Sequence, residues 1–153
     1  MSSVNLTNYF HSSLFIPEMK ATTKDEALEE LLNLFVREKL VKNKRLVLAM
    51  LKQREKLGST GIGKGVAIPH GRTTAAGDVM IAFGKSSKGI PFDAIDQQPV
   101  HLLFMVIAHP QEKSNEYLPL LGSLVTTLKD DSKREQLMHV ANFEDLLAVF
   151  QGE

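Results

Sequence analysis

Gly58-Ser59-Thr60-Gly61-Ile62-Gly63-Lys64-Gly65-Val66-Ala67-Ile68-Pro69-His70-Gly71 is the stretch from which the rest of this 153-residue chain can be read. Four glycines between Gly58 and Gly65 give a backbone free to turn sharply and to approach a ligand closely. They run into a short apolar segment, Val66-Ala67-Ile68, which Pro69 ends. Proline fixes its own φ and pushes Ile68 toward an extended conformation. His70 is thereby delivered at the end of a short strand, with Gly71 leaving room beside the imidazole. Histidine displayed in this way has a neutral form that is a good nucleophile at physiological pH.

Three readings compete for the loop. In the first it is a tight turn whose histidine packs or hydrogen-bonds. In the second it is a phosphate-binding P-loop, because Gly58 to Lys64 meets the spacing GxxxxGK. That reading fails twice. The residue after Lys64 is Gly65, so the hydroxyl that should hold Mg²⁺ is missing. A P-loop also follows a strand and opens a helix, whereas here a helical run precedes and an extended segment follows. In the third, His70 accepts a phosphoryl group and loop N–H groups cradle its oxygens.

Upstream, Thr22 or Thr23 offers a helix N-cap with Asp25 and Glu26 in the first turn. Ala27, Leu28, Leu31, Leu32, Phe35 and Val36 keep helical spacing. Asn43 caps a second helix whose apolar side is Leu46, Val47, Met50, Leu51 and Leu57, with Glu55 among the residues that fill its polar remainder. Arg54 lies in the last turns of this helix, which feeds directly into the glycine loop, so its guanidinium is expected near His70. A planar, permanently charged fork suits a phosphoryl group better than an ammonium does. Leu14-Phe15-Ile16 is an edge strand or anchoring contact that Pro17 stops.

Downstream, Val79-Met80-Ile81-Ala82-Phe83 and Val100 to Ala108 are almost uniformly apolar, as strands covered on both faces are. His101 and His109 bracket the second and read as strand-end side chains facing solvent. From Ser114 the period turns helical, with Tyr117, Leu118, Leu121, Leu124, Val125 and Leu128 on one stripe. Ser132 with Glu135 suggests a capping box, and Asn142 caps a last helix. The expected fold class is α/β: a single-domain sandwich over residues 1–153, with a mixed central sheet flanked by helices.

Lys and Arg together match Asp and Glu at 18 each, so net charge is zero and no basic footprint for nucleic acid appears. There is no cysteine, hence no disulfide, thiolate metal site or Cys nucleophile. No apolar run approaches a membrane span and the first residues lack the regions of a signal peptide, so the expected address is the cytoplasm. No metal or cofactor is called for.

Arg54-Glu55-Lys56-Leu57-Gly58-Ser59-Thr60-Gly61-Ile62-Gly63, then Gly65-Val66-Ala67-Ile68-Pro69-His70-Gly71, resembles the signature of the enzyme IIA domains of the bacterial phosphotransferase system. Within these the sequence is similar to the fructose/mannitol class and its nitrogen-regulatory branch. Phe92 to Val100 and Leu102-Leu103-Phe104 carry the same likeness. The resemblance implies a phosphotransferase with a phosphohistidine at His70, on Nε2, charged by a histidine phosphocarrier protein. Arg54 would offset phosphate charge, and Ser59, Thr60 and the amides around Gly61 would supply donors. Lys64 and Arg72 are further cations close in sequence.

In this family a second histidine usually faces the first, and the equivalent position here is Tyr117. Either its hydroxyl reaches the pocket, or its ring packs as the first residue of the helical stripe. Three function classes follow: a regulatory phosphocarrier whose targets depend on its phosphorylation state, a transport component handing phosphate to a IIB cysteine, and a non-phosphorylated binding module on the same fold.

Overall fold

Alternation decides how the two long apolar runs are used. The computed structural model describes residues 4–113 and 115–151. Ser114, where the helical period was expected to begin, lies outside them. Along the described chain run β1 (Phe10–Ile16), α1 (Lys24–Arg37), α2 (Lys44–Lys56), β2 (Gly61–Gly63), β3 (Val66–Ala67) and β4 (His70–Arg72). Then come β5 (Met80–Ile90), β6 (Val100–Ala108), α3 (Tyr117–Thr127), α4 (Asp131–Met138) and α5 (Phe143–Phe150). On β6, Leu102, Phe104, Val106 and Ala108 enter one core with α3, α4 and α5, while Leu103, Met105 and Ile107 enter a second core with α1 and α2. Both faces of β6 are therefore apolar, and the run is nearly continuous for that reason. The result is the expected α/β sandwich, helices on both sides of one sheet.

Among the described residues the sheet is six-stranded and ordered β1-β5-β6-β3-β2, with β4 pairing β6 farther along the edge that β3 occupies. β5 and β6 pair antiparallel, whereas β1 with β5 and both β3 and β4 with β6 are parallel, so the sheet is mixed. Pro69 does not end the strand path. It interrupts it between Ala67 and His70, where the ladder loses one N–H, and its carbonyl still accepts from Val106 N at 2.9 Å. His70 opens β4 opposite Val106 instead of closing a strand.

Three helix details differ from the sequence reading. On α2 the row facing the sheet is Val47, Leu51 and Glu55, at i, i+4 and i+8, while Leu46 and Leu57 are 54% and 79% exposed. On α3 the buried residues are Tyr117, Leu120 and Leu124, and Leu118 is turned outward. On α4 the N-cap is Asp130, whose carboxylate accepts from Ser132 N and Lys133 N, so Ser132 is already inside the helix. The Thr23, Asn43 and Asn142 caps all form, each side chain accepting from the N–H three residues on.

Candidate functional site

The glycine-rich stretch is half hairpin. Gly61 to Gly63 pairs antiparallel with Val66-Ala67 through a two-residue turn, Lys64-Gly65, whose φ values are 57° and 78°. Positive φ at both central positions is the primed turn that matches strand twist, and it puts a lysine where Asn or Asp is commoner. The hairpin uses the amides that a phosphate cradle would need. Gly61 N donates to Ser59 Oγ at 3.0 Å, Lys64 N to Asp96 at 2.9 Å, and Ile68 N to Thr60 O at 3.0 Å. The Lys64 and Gln98 amides hold the Asp96 carboxyl below the usual carboxylate range.

Immediately before the hairpin a buried carboxylate braces the chain. Glu55 accepts from Thr60 N at 3.0 Å and from the Thr60 hydroxyl, and it pairs with Lys24 at 3.0 Å. Lys24 also lies over the Phe92 ring, 4.8 Å from its centroid. Ser59 Oγ donates to Phe92 O at 2.6 Å, tying the same segment to the 91–99 loop. Ser59 and Thr60 thus line the pocket described below with their hydroxyl protons already donated inside the protein. Glu55 is the residue that sequence reasoning missed; its place four residues after buried Leu51 was the available signal.

His70 and Gly71 point to opposite faces of β4. The imidazole is half-buried on the α3 side, whereas Gly71 faces α2. A Cβ on Gly71 would stand 2.5 Å from Met50 Cε. Gly71 therefore makes room for Met50, not for His70, because successive strand residues alternate. His70 Nδ1 lies 2.7 Å from Ile68 O. A carbonyl only accepts, so in the neutral imidazole Nδ1 carries the proton and Nε2 keeps its lone pair, with no hydrogen-bond partner among the described residues.

Around that nitrogen is a pocket of about 150 Å³ lined by Arg54, Ser59, Thr60, Ile62, Ile68, His70, Leu121 and Val125. Arg54 arrives from the end of α2 and spends one N–H on Gly58 O at 2.8 Å. Tyr117 is both core and neighbour. It is 6% exposed, and its ring centroid stands 6.4 Å from that of His70. Burial pushes its hydroxyl up to about 12, against the opposite pull of Arg72 and Arg54. Arg72 lies over the Tyr117 ring, Cζ 5.0 Å from the centroid. Lys64 is elsewhere, lining a separate cavity with His101.

His101 does not face freely into solvent as expected. It is half-buried, and its Nδ1 lies 2.8 Å from Ser86 O. His109 Nδ1 accepts from Gln111 N at 3.0 Å. Among the described residues no group of three His, Asp or Glu side chains is placed to hold a metal ion, and no helix is long and apolar enough to cross a membrane.

The arrangement can do one kind of chemistry without further help: nucleophilic attack by a neutral, oriented imidazole on a group whose negative charge a guanidinium can meet. Comparison with known proteins points the same way. The family model described as EIIA 2 of the phosphoenolpyruvate-dependent sugar phosphotransferase system matches residues 8–152. The chain is 36% identical over 134 residues to the fructose-specific EIIA component of Haloferax volcanii, spanning 86% of each protein. It is 33% identical over 132 residues to a nitrogen regulatory protein of Bradyrhizobium diazoefficiens, spanning 86% of this chain and 85% of that one. The crystal structure of the nitrogen regulatory protein IIA-Ntr from Neisseria meningitidis superposes with a TM-score of 0.85 at 34% identity, over 94% of this chain and 97% of that one.

Proposed function

The chain belongs to the type-2 EIIA family of the phosphotransferase system, a family of phosphoryl-transfer components, and from that premise we propose that His70 is its phosphoacceptor. The observation that carries this is the 2.7 Å bond from Nδ1–H to Ile68 O, which leaves the Nε2 lone pair unpartnered beside Arg54. Nε2 forms the new N–P bond as the N–P bond of a phosphohistidine donor breaks and that bond's electron pair returns to the donor ring. The proton stays on Nδ1, and the positive charge developing on the His70 ring falls against the Ile68 carbonyl. Arg54 meets the phosphoryl oxygens. Positioning and charge stabilisation suffice for such a transfer.

The donor is a histidine phosphocarrier protein of the cytoplasm, and the chain acts over residues 1–153 as one domain. It docks through apolar ground around the pocket. Of the apolar residues of the glycine-rich stretch and the 91–99 loop, Ile62 and Ile95 are exposed and available to that rim, whereas Val66 and Phe92 are core residues. Leu57 and Leu118 are exposed beside Gly58 and Tyr117 and extend the rim. The role is regulatory, in keeping with the nitrogen regulatory relatives, with target binding set by phosphorylation state. Delivery of phosphate to a IIB cysteine is the second reading, favoured by the fructose-specific relative.

Incubation with phosphoenolpyruvate, enzyme I and the carrier tests the proposal. Acid-labile label is expected on the parent chain and none on His70→Ala; full labelling of that variant would sink it. Pull-downs with and without phosphate then separate regulatory targets from a IIB component.

A further inference from the structure

Arg72 is a second arginine, on the strand that carries His70. It is exposed on the last residue of β4, and among the described residues no carboxylate pairs with it. Two positions separate it from His70 on one strand, so both side chains leave the same face of the sheet. In register they stand opposite Val106 and Ala108, both members of the core that α3 covers. Tyr117 opens α3 directly over them, 6.4 Å ring to ring from His70 and 5.0 Å from the Arg72 guanidinium carbon to its own ring centroid. The phenol is thus shared between the imidazole and a guanidinium.

Resting on the phosphohistidine reading, we propose that Arg72 is a second guanidinium for the phosphoryl group on His70, and that Tyr117 positions it through the face of its ring. The cation–π contact holds the guanidinium by its charge, and among the described residues no hydrogen bond takes its N–H fork, the edge that meets phosphoryl oxygens bidentately. The Tyr117 side chain is held by packing, the residue being 6% exposed, so it fixes the arginine without itself moving. Arg54 lines the His70 pocket from α2 and Arg72 stands over Tyr117 on the strand that carries His70, so the transferred group sits between two guanidiniums borne by different layers of the sandwich. The hydroxyl itself has no donor role in this arrangement; the ring face does the work.

Single-turnover transfer from the phosphorylated carrier to the full chain tests this, with carrier concentration varied. Arg72→Gln is expected to slow transfer at saturating carrier about tenfold while leaving the half-saturating concentration unchanged. Arg72→Lys, which keeps the charge without the planar fork, falls between. Tyr117→Leu slows transfer by a similar factor, and Tyr117→Phe, which restores the ring face, recovers most of that loss. The double variant Arg72→Gln/Tyr117→Leu is no slower than the worse single variant, because the second change removes an interaction the first has already lost. Parent-like transfer by Arg72→Gln, or strictly multiplicative losses in the double variant, overturns the inference. Failure of Tyr117→Phe to recover the rate overturns the part assigned to the ring. Absence of label on the parent chain would instead bring down the phosphohistidine reading, so the two failures are distinguishable.

Discussion

Two histidines on this sheet have the same tautomer set in the same way, and their surroundings differ. His70 donates Nδ1–H to Ile68 O and His101 donates Nδ1–H to Ser86 O, at 2.7 and 2.8 Å. Each is half-buried and each borders a cavity, and the one at His101 is the larger, about 420 Å³ against about 150 Å³. At His70 the ionic neighbours are guanidiniums and the walls are Ile62, Ile68, Leu121 and Val125. At His101 the cations Lys64 and Arg134 share the cavity with Asp131 and Glu135, and Arg134 is already paired with Asp131. A fixed tautomer makes a nucleophile available. A cavity lining that holds a guanidinium and no carboxylate makes it useful for phosphoryl transfer, and of the two cavities only the one at His70 has it.

The largest effect expected from this contrast is complete. His70→Ala should take no phosphate from the carrier, while His101→Ala labels like the parent in the same incubation with phosphoenolpyruvate, enzyme I and the carrier. Label mapped to His101, or lost on its replacement, would erase the distinction.

Next in size is the brace. The carboxylate at the His70 end is buried and holds Lys24 and two Thr60 donors, whereas the Glu135 side chain at the other end is 70% exposed. Glu55→Ala strands those partners and should cost about 3 kcal/mol of stability in urea unfolding. Glu135→Ala should stay within about 0.5 kcal/mol. Equal losses would mean that the glycine-rich segment does not depend on its anchor.

Arg54→Ala should fold and be phosphorylated more slowly, by on the order of 2 kcal/mol in the barrier, about thirtyfold in rate. Arg134→Ala should transfer at the parent rate. An unchanged rate for Arg54→Ala would reduce it to an ordinary charge at a helix end.

A smaller effect is read by pH. The chain has two tyrosines and no tryptophan, so phenolate absorbance is easily assigned. Burial raises Tyr117 to about 12, and burial followed by the hydrogen bond to Glu116 raises Tyr9 to about 12. The folded state binds these protons more tightly than the unfolded state. Their contribution to stability is therefore complete below pH 10, the ordinary tyrosine value, and is lost as pH rises through about 12. A titration of the folded protein with a midpoint near pH 10 would contradict the burial of Tyr117. The least effect is expected from salt: carrier affinity should fall only modestly with ionic strength, because the exposed rim is apolar and net charge is zero. A steep fall would place a charged patch at the interface.

The sequence by itself determined the layers and the Asn43 and Asn142 caps, narrowed the first helix cap to Thr22 or Thr23, and marked His70 as the histidine beside the glycine loop, while the α4 cap proved to be Asp130 instead of Ser132. Continuous apolar runs at Val79–Phe83 and Val100–Ala108 leave no choice but strands covered on both faces, and Thr23, Asn43 and Asn142 announce helix starts by side-chain chemistry that acts within three residues. Pro69 and the glycines marked the loop for the same local reason. Only the tertiary structure decided what each group near His70 does. Whether Gly71 clears space for His70 or for Met50 depends on which layer covers each face of β4. Whether Ser59 and Thr60 offer hydroxyls outward depends on Phe92 and Glu55, which reach them across the fold or around a helix end. The apolar row of α2 ran through Glu55 because burial follows contact with neighbours, and a carboxylate with three partners is satisfied there. Arg72 and Tyr117 are 45 positions apart in sequence, and nothing local to either one predicts that a ring from the helix layer will lie against a guanidinium from the sheet. Local signals come from bonds and propensities within one turn or one strand pair; the chemistry of the pocket comes from which layers the fold stacks together.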